Sequence, residues 1–553
     1  MPEKVSMHWD REVDVLVLGS GGAGLVAATL AHDEGALVLV LEKAHLIGGT
    51  TGISGGMPWV PLNMHMDRLG VEDSRDDALT YLRRITLGQE PDPQLLEVYV
   101  DTAHSMVEYL EANTPVRMFS TSDFADYYNK FPGGKPEGRS IESHPYEAGQ
   151  LGEWADKVRL SPIYPRVTLE EGSQATDPSK MDFSMIAERT EKDIRTMGAA
   201  LVAALFKGLL DRGVETLTET RALSLVTSED GAVIGVRAER GGRDFLVGAR
   251  KGVILATGGY EWNEDLVKAF LKGGLTHPLS PPQNEGDGLI MAMEAGAALG
   301  NMGHAWWTPA LVDPTLEFEG HPLAHTGSQV PRLPGAILVN ARGKRFVNEL
   351  ATYMDLPKTF YTFDPVAQEF PNYPAWVVFD HRCRSKHRIF TVMPEDPTPD
   401  WIDWAPTIRG LAEKIGVDAD GLEKEVQCFN SYAVDLADPE FQRGAKDFGP
   451  SSGGLPDPSK SLAPLEEPPF YALPMLWGAL GTNGGPRIND QAQVLSNKGL
   501  PIPGLFAAGN VAAGVFGPTY PGGGATLGPA MTFGYIAGRS SAASAPRPIT
   551  SGR

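Results

Sequence analysis

Val13-Asp-Val-Leu-Val-Leu-Gly-Ser-Gly-Gly-Ala-Gly24 is an apolar run with strand character that feeds directly into three spaced glycines and an alanine-rich helical segment. A dinucleotide fingerprint needs that context. Gly19 makes the tight turn, Gly21 leaves room for a pyrophosphate beside the backbone, and Gly24 lets the helix pack close to the strand. The loop, with Ser20, Gly22 and Ala23, then presents a helix N-terminus to the phosphates. A second apolar run, Leu37-Val-Leu-Val-Leu41, ends at Glu42, eighteen positions after Gly24. An acid about 20 residues on accepts from a ribose hydroxyl in such units. The expected fold class is α/β, with a Rossmann-type domain interrupted by a smaller α+β domain.

The residues after Glu42 favour a flavin over a nicotinamide. Lys43-Ala-His-Leu-Ile-Gly-Gly-Thr-Thr-Gly-Ile-Ser-Gly-Gly-Met57 is a run of glycines and hydroxyls suited to bringing N–H groups and small side chains against a bulky ring system. Its candidates are Gly49, Thr50, Thr51, Ser54, Gly55 and Gly56. Two further strand-to-turn pieces are Leu255-Ala-Thr-Gly-Gly259, with Ala256, Thr257 and Gly258, and Pro503-Gly-Leu-Phe-Ala-Ala-Gly-Asn510, ending in Gly509 and Asn510. Together these pieces resemble the FAD-binding domain of the fumarate reductase and 3-ketosteroid dehydrogenase flavoprotein superfamily, over nearly the whole chain. The resemblance implies FAD as cofactor, with Lys43, Asp287, Ala525 and Leu527 added to its contacts. It implies a non-covalent flavin, because the position of the linking histidine in covalent members falls within Gly49-Thr-Thr-Gly52.

Composition agrees with a large globular enzyme: 553 residues, 42% hydrophobic and 21% charged. A net charge of −22 argues against nucleic acid and anionic membrane surfaces. Cys383 and Cys428 lack metal-ligand spacing and read as reduced thiols, and no metal site is legible. The first ten residues have no apolar signal core, and no run approaches the ~18 apolar residues of a membrane span. The expected location is the cytoplasm.

Residues 1–305 read as the first part of the FAD-binding domain, with a cap-like insertion around 115–185. Residues 306–470 read as the substrate domain, 471–540 as the second part of the FAD-binding domain, and 541–553 as a disordered Ser/Ala/Pro-rich tail. Within this scheme, 185–213 has the periodicity of one amphipathic helix. Residues 336–347 read as a hairpin around Ala341-Arg-Gly343.

The resemblance places the chemistry in tyrosines. Val339-Asn-Ala-Arg-Gly-Lys-Arg-Phe-Val-Asn-Glu349 is similar to the family's Asn-Glu element, after which a tyrosine acts as base; Tyr353 stands there. Thr519-Tyr-Pro-Gly-Gly-Gly524 is similar to the segment in which a tyrosine hydroxyl and a glycine N–H grip a ketone oxygen, which implies Tyr520 and Gly524. Asp126-Tyr-Tyr-Asn129, with Pro136-Glu-Gly-Arg139 downstream, resembles the region of an assisting tyrosine, for which Tyr127 is chosen and Tyr128 stays open. The implied activity is FAD-dependent introduction of a C=C bond α,β to a ring ketone, with 3-ketosteroid Δ1-dehydrogenation first. The alternatives are a cyclohexanone-type ketone desaturase and a fumarate-reductase-like flavoprotein. Against the latter, this chain reads Ala525-Thr-Leu-Gly528 where fumarate reductases carry Arg-Leu-Gly. No iron–sulfur or haem motif supports a purely electron-relaying role. The implied partners are a small ring ketone or steroid and an acceptor such as a quinone. The segment 152–192, longer than in compact members, suits a cap. His304, His321 and His325 read as loop residues, and Trp306 and Trp307 as packing residues.

Overall fold

The computed structural model describes residues 8–174, 181–273, 275–445 and 457–549. The run Arg11–Leu18 forms the expected strand, and Val15 to Leu18 are at most 1% exposed. Continuous burial on both faces is the mark of a strand inside a parallel sheet. Its sheet has a parallel core in the order Pro501–Ala507, Arg243–Leu255, Arg11–Leu18, Val38–Leu41 and Glu215–Leu217. Gln493–Leu495 adds an antiparallel edge, and Thr220–Thr227 with Val233–Arg240 extends the Arg243–Leu255 strand as an antiparallel ribbon. Helix Gly22–Asp33 leaves the first strand and packs along Leu527–Ala543, where Gly534 lies against the Ala23 carbonyl.

A second sheet runs in the order His321–Thr326, Ala305–Phe318, Phe470–Thr482, Ala375–Phe379 and Ala336–Val339, these five antiparallel to one another while His277–Pro278 joins in parallel. Its central strand is Phe470–Thr482, which also pairs with His277–Pro278 and Asp403–Ala405. The boundary expected at residue 470 therefore falls at the start of a second-sheet strand, and the chain rejoins the first sheet only at Gln493.

Three other expectations need correction. The stretch 185–213 is two helices, Phe183–Glu191 and Met197–Asp211, separated by the short strand Ile194–Arg195 that pairs with Tyr146–Glu147. Asp193 and Met197 take positive φ there, a break that hydrophobic periodicity does not register. The 336–347 hairpin does not form: Ala336–Val339 pairs with Ala375–Phe379, and only Val339 bridges back to Arg345. Arg345 turns inward, donating to Glu349 at 2.8 Å and to Asp438 at 2.8 Å, with all three side chains fully buried. The tail is ordered as far as it is described. Helix Leu527–Ala543 includes the tail's first three residues, the Arg547 N–H donates to the Arg250 carbonyl at 2.7 Å, and Trp9 Nε1 donates to the Ile549 carbonyl at 2.6 Å. Residues 550–553 lie outside the described set, as do 175–180 within the expected cap. Among the described residues no helix is long and apolar enough to cross a membrane.

Candidate active site

The first strand ends at Gly19, whose φ of +104° turns the chain, and a Cβ there would meet the Ala256 carbonyl at 2.3 Å. Gly24 is needed for packing, since its Cβ would lie 2.0 Å from the Gly19 carbonyl. Gly21 differs: nothing lies within 3.7 Å of its Cβ position, and it opens helix Gly22–Asp33 with no side chain of its own to cap the N-terminus. Free backbone donors beside open space are what a pyrophosphate requires. Glu42 closes the other side, its carboxylate accepting from Ser20 Oγ at 2.6 Å, Ser20 N–H at 3.0 Å and Ala44 N–H at 2.9 Å. Thr51 Oγ1 accepts from the Gly22 N–H at 3.0 Å and so docks the Gly49–Ile53 helix on the glycine loop.

These groups line a cavity of about 1700 Å³. Its wall includes Gly19, Ser20, Gly21, Gly22, Ala23, Glu42, Lys43, Gly49, Thr50, Thr51, Ser54, Gly55, Gly56, Ala256, Thr257, Gly258, Asp287, Gly509, Asn510 and Leu527. Gly24 and the fully buried Ala525 do not line that wall. Lys43 and Asp287 face each other, Nζ to Oδ2 at 2.9 Å, and Arg221 also reaches Asp287. Thr257 Oγ1 is a buried hydroxyl without a partner on the same wall. An orphaned hydroxyl, open backbone at Gly21 and an acid at the ribose position fit an FAD.

The same cavity is also lined by Tyr127, Tyr353, Tyr520 and Gly524. Three distant parts of the chain supply them. The Tyr127 N–H donates to the Pro521 carbonyl at 2.9 Å, which fastens that segment to the one holding Tyr520. Arg345 and Glu349 anchor the loop that reaches Tyr353; burial opposes the Glu349 charge, but Arg345 and Arg443 hold its carboxyl below the usual range. Gly524 has φ +95°, and a Cβ on it would meet the Met57 carbonyl oxygen at 2.2 Å. Its carbonyl accepts from the Trp59 N–H at 3.0 Å.

Ring centroids are 5.5 Å apart for Tyr127–Tyr353, 5.7 Å for Tyr127–Tyr520 and 5.5 Å for Tyr353–Tyr520. Trp306 packs edge-on against Tyr520 at 5.5 Å and donates from Nε1 to Asn510 Oδ1 at 3.1 Å, joining the second sheet to the flavin end. Burial, then the neighbouring Tyr127 and Tyr520, pushes the Tyr353 pKa well above that of a free tyrosine. Tyr127 is raised by burial and by Tyr520, against a lowering influence from Tyr353 and Arg332. Burial also raises Tyr520, while Thr526, Tyr353 and the Gly524 N–H favour its phenolate. The Tyr520 hydroxyl lies 3.1 Å from Thr526 Oγ1, and both Tyr520 and Gly524 line the cavity.

Arg332 belongs to no motif of the sequence. It is buried on the cavity wall, donates from Nη2 to the Ala351 carbonyl at 2.8 Å, and its charge interacts favourably with the phenolate forms of Tyr127 and Tyr353. Burial lowers its pKa to about 10. His321 and His325, expected in loops, stand on the hairpin that walls the cavity, where His321 packs on Trp262 and His325 on Tyr164. Burial lowers the His325 pKa to about 4, so it is neutral there. Tyr164 and Leu169 are contributions of the 152–192 segment to the same wall. Tyr128 points away from the cavity, which separates it from Tyr127.

The family model described as FAD binding domain matches residues 14–527. The chain is 39% identical to 4-oxocyclohexanecarboxylate 2-dehydrogenase of Sinomonas cyclohexanicum, over 96% of this chain and 93% of that protein. It is 37% identical to 3-oxosteroid 1-dehydrogenase of Mycobacterium tuberculosis, over 95% and 98%. The crystal structure of 3-ketosteroid delta1-dehydrogenase from Sterolibacterium denitrificans, in complex with 1,4-androstadiene-3,17-dione, superposes with a TM-score of 0.89 at 34% identity, covering 96% of this chain and all of that one. The chain belongs to the FAD-binding flavoprotein family, within the FAD-dependent dehydrogenases that include the 3-oxosteroid 1-dehydrogenases.

Proposed function

We propose that this protein removes two hydrogens from adjacent carbons beside a ring ketone, acting first on 3-oxosteroids. The observation that carries the reading is the meeting of Tyr127, Tyr353 and Tyr520 from three distant segments, on a cavity that Gly524 also lines. The Tyr520 O–H and Gly524 N–H donate to the ketone oxygen and stabilise the enolate that develops there. Tyr353 takes the α proton. Forming a phenolate from an ordinary tyrosine at neutral pH costs about 4 kcal/mol. Burial and the neighbouring Tyr127 and Tyr520 add to that cost, and the Arg332 charge offsets part of it. FAD, when bound, supplies the acceptor for the β hydrogen, which leaves as hydride. The product is a conjugated enone, and the electrons pass on to a carrier such as a quinone, in the cytoplasm.

A second reading has one observation in its favour. A buried guanidinium on the wall, Arg332, is a natural partner for a carboxylate on the ring, and a relative at 39% identity is named for such a substrate. Anaerobic mixing with 3-oxosteroids, cyclohexanone and 4-oxocyclohexanecarboxylate decides the class. Ring ketones bleach the flavin and give the unsaturated ketone, whereas succinate and the matching alcohols do not. Faster bleaching by 4-oxocyclohexanecarboxylate, with that preference lost in Arg332→Met, moves the substrate to the second reading. Succinate or alcohol oxidation as the fastest reaction overturns both.

The flavin site gives a separate expectation. Acid precipitation releases intact FAD into the supernatant, because no histidine stands in Gly49 to Gly52 and His45 is exposed and off the cavity wall. Glu42→Ala weakens FAD binding by about 1–3 kcal/mol, the range for a hydrogen bond to a charged group. Fluorescence titration of apoprotein measures it, and unchanged affinity removes Glu42 from the ribose contact.

A further inference from the structure

Tyr128 is adjacent to Tyr127, yet its hydroxyl donates to the carboxylate of Asp355 on the far side of the tyrosine cluster. The same carboxylate accepts from Lys358 Nζ at 2.8 Å, and that ammonium also donates to the Pro518 carbonyl at 2.8 Å. Tyr128 is one residue from Tyr127, Asp355 two from Tyr353, and Pro518 two from Tyr520. One carboxylate and one ammonium thus join the three segments that hold the three cavity tyrosines.

Tyr128, Asp355 and Lys358 line a separate cavity of about 730 Å³ behind the cluster, and none of them lines the flavin cavity. They act without touching substrate. Burial opposes the Asp355 charge, but Lys358, Tyr128 and Thr352 hold its carboxyl below the usual range. The Asp355 N–H also donates to Thr352 Oγ1 at 3.0 Å, which stiffens the turn next to Tyr353. The Tyr127 and Tyr520 segments are already tied by the bond from the Tyr127 N–H to the Pro521 carbonyl. The Tyr353 loop is brought to both of them through Asp355.

We infer that Tyr128, Asp355 and Lys358 are positioning residues that fix the distance of Tyr353 from Tyr127 and Tyr520. This rests on the tyrosine mechanism above. A displacement of about 1 Å at a reacting group costs roughly 100-fold in rate, so the network is read in the chemical step rather than in binding.

The test is stopped-flow flavin reduction in the holoenzyme with Tyr128→Phe, Lys358→Met, Lys358→Arg and the Tyr128→Phe/Lys358→Met pair. The substrate is whichever ring ketone bleaches wild type fastest. Each single removal is expected to slow the limiting rate by about 10- to 100-fold, with the substrate Kd within about 2-fold and FAD content unchanged. The double variant loses no more than the worse single variant, because both act through Asp355. Lys358→Arg recovers most of the rate. Near wild-type rates in both single variants overturn the inference. So does a loss shared equally by rate, Kd, FAD content and thermal midpoint, or a double variant whose losses multiply. Absence of bleaching in wild type with every ring ketone refutes the function itself, which is read separately from the variant-to-wild-type ratios.

Discussion

Tyr353→Phe is expected to slow flavin reduction by a ring ketone at least ~100-fold, because a positioned base contributes roughly 10² to 10⁴ in rate. The substitution removes one oxygen from a ring already packed between Tyr127 and Tyr520, so folding and FAD content stay at wild-type levels. The pH dependence carries a second signature. Burial and the neighbouring tyrosines hold the Tyr353 proton well above the free-tyrosine range. The active phenolate fraction therefore grows with pH, and wild-type kcat/KM rises from roughly pH 7 to 9 without a plateau. In Tyr353→Phe that rise disappears. A variant that keeps both the rate and the slope assigns the base to another residue.

Gly524→Ala is expected to cost as much by a different route. The new Cβ would stand 2.2 Å from the Met57 carbonyl oxygen and 2.6 Å from the Trp59 nitrogen, at a φ of +95°. Such a backbone conformation is rare for any residue with a side chain. The 520–524 turn must shift, and its N–H leaves the ketone oxygen. Loss of one preorganised donor costs about 10²- to 10³-fold. Tyr520→Phe serves as the comparison, since it deletes the other donor and leaves the backbone alone. Both variants should lose rate in single-turnover reduction, and Tyr520→Phe should also bind a ketone-bearing ligand more weakly. Reduction at wild-type speed in Gly524→Ala would detach the glycine from the oxygen grip.

The glycine loop is legible in the sequence because its logic is local: a strand, a turn that needs positive φ, and a helix succeed one another within Arg11–Asp33. Tyr127, Tyr353, Tyr520 and Gly524 are legible through short motifs, and the structure brings all four to the wall of one cavity. The features that escape depend on contacts far apart in sequence. Phe470–Thr482 is an apolar run whose sheet is decided by its partners at 305–318 and 375–379, which no local pattern states. Arg332 lies in a proline-flanked turn, Val330–Arg332, where an arginine ordinarily reads as a surface residue. His321 and His325 resemble loop histidines because the Ala305–Phe318 and His321–Thr326 arms are too polar toward their tip to read as a buried hairpin. The choice between Tyr127 and Tyr128 turns on where Asp355 sits.

Colour and turnover depend on different parts of this molecule. The groups about the glycine loop, from Gly19 to Gly56, come from one stretch at the start of the first sheet, whereas Tyr353 arrives on a loop hung between Ala336–Val339 and Ala375–Phe379 of the second. Loosening the second sheet would withdraw the base and leave the glycine loop intact. In a preparation whose second sheet has loosened, yellow absorbance would overstate the competent fraction, and the amplitude of substrate bleaching would count the active sites.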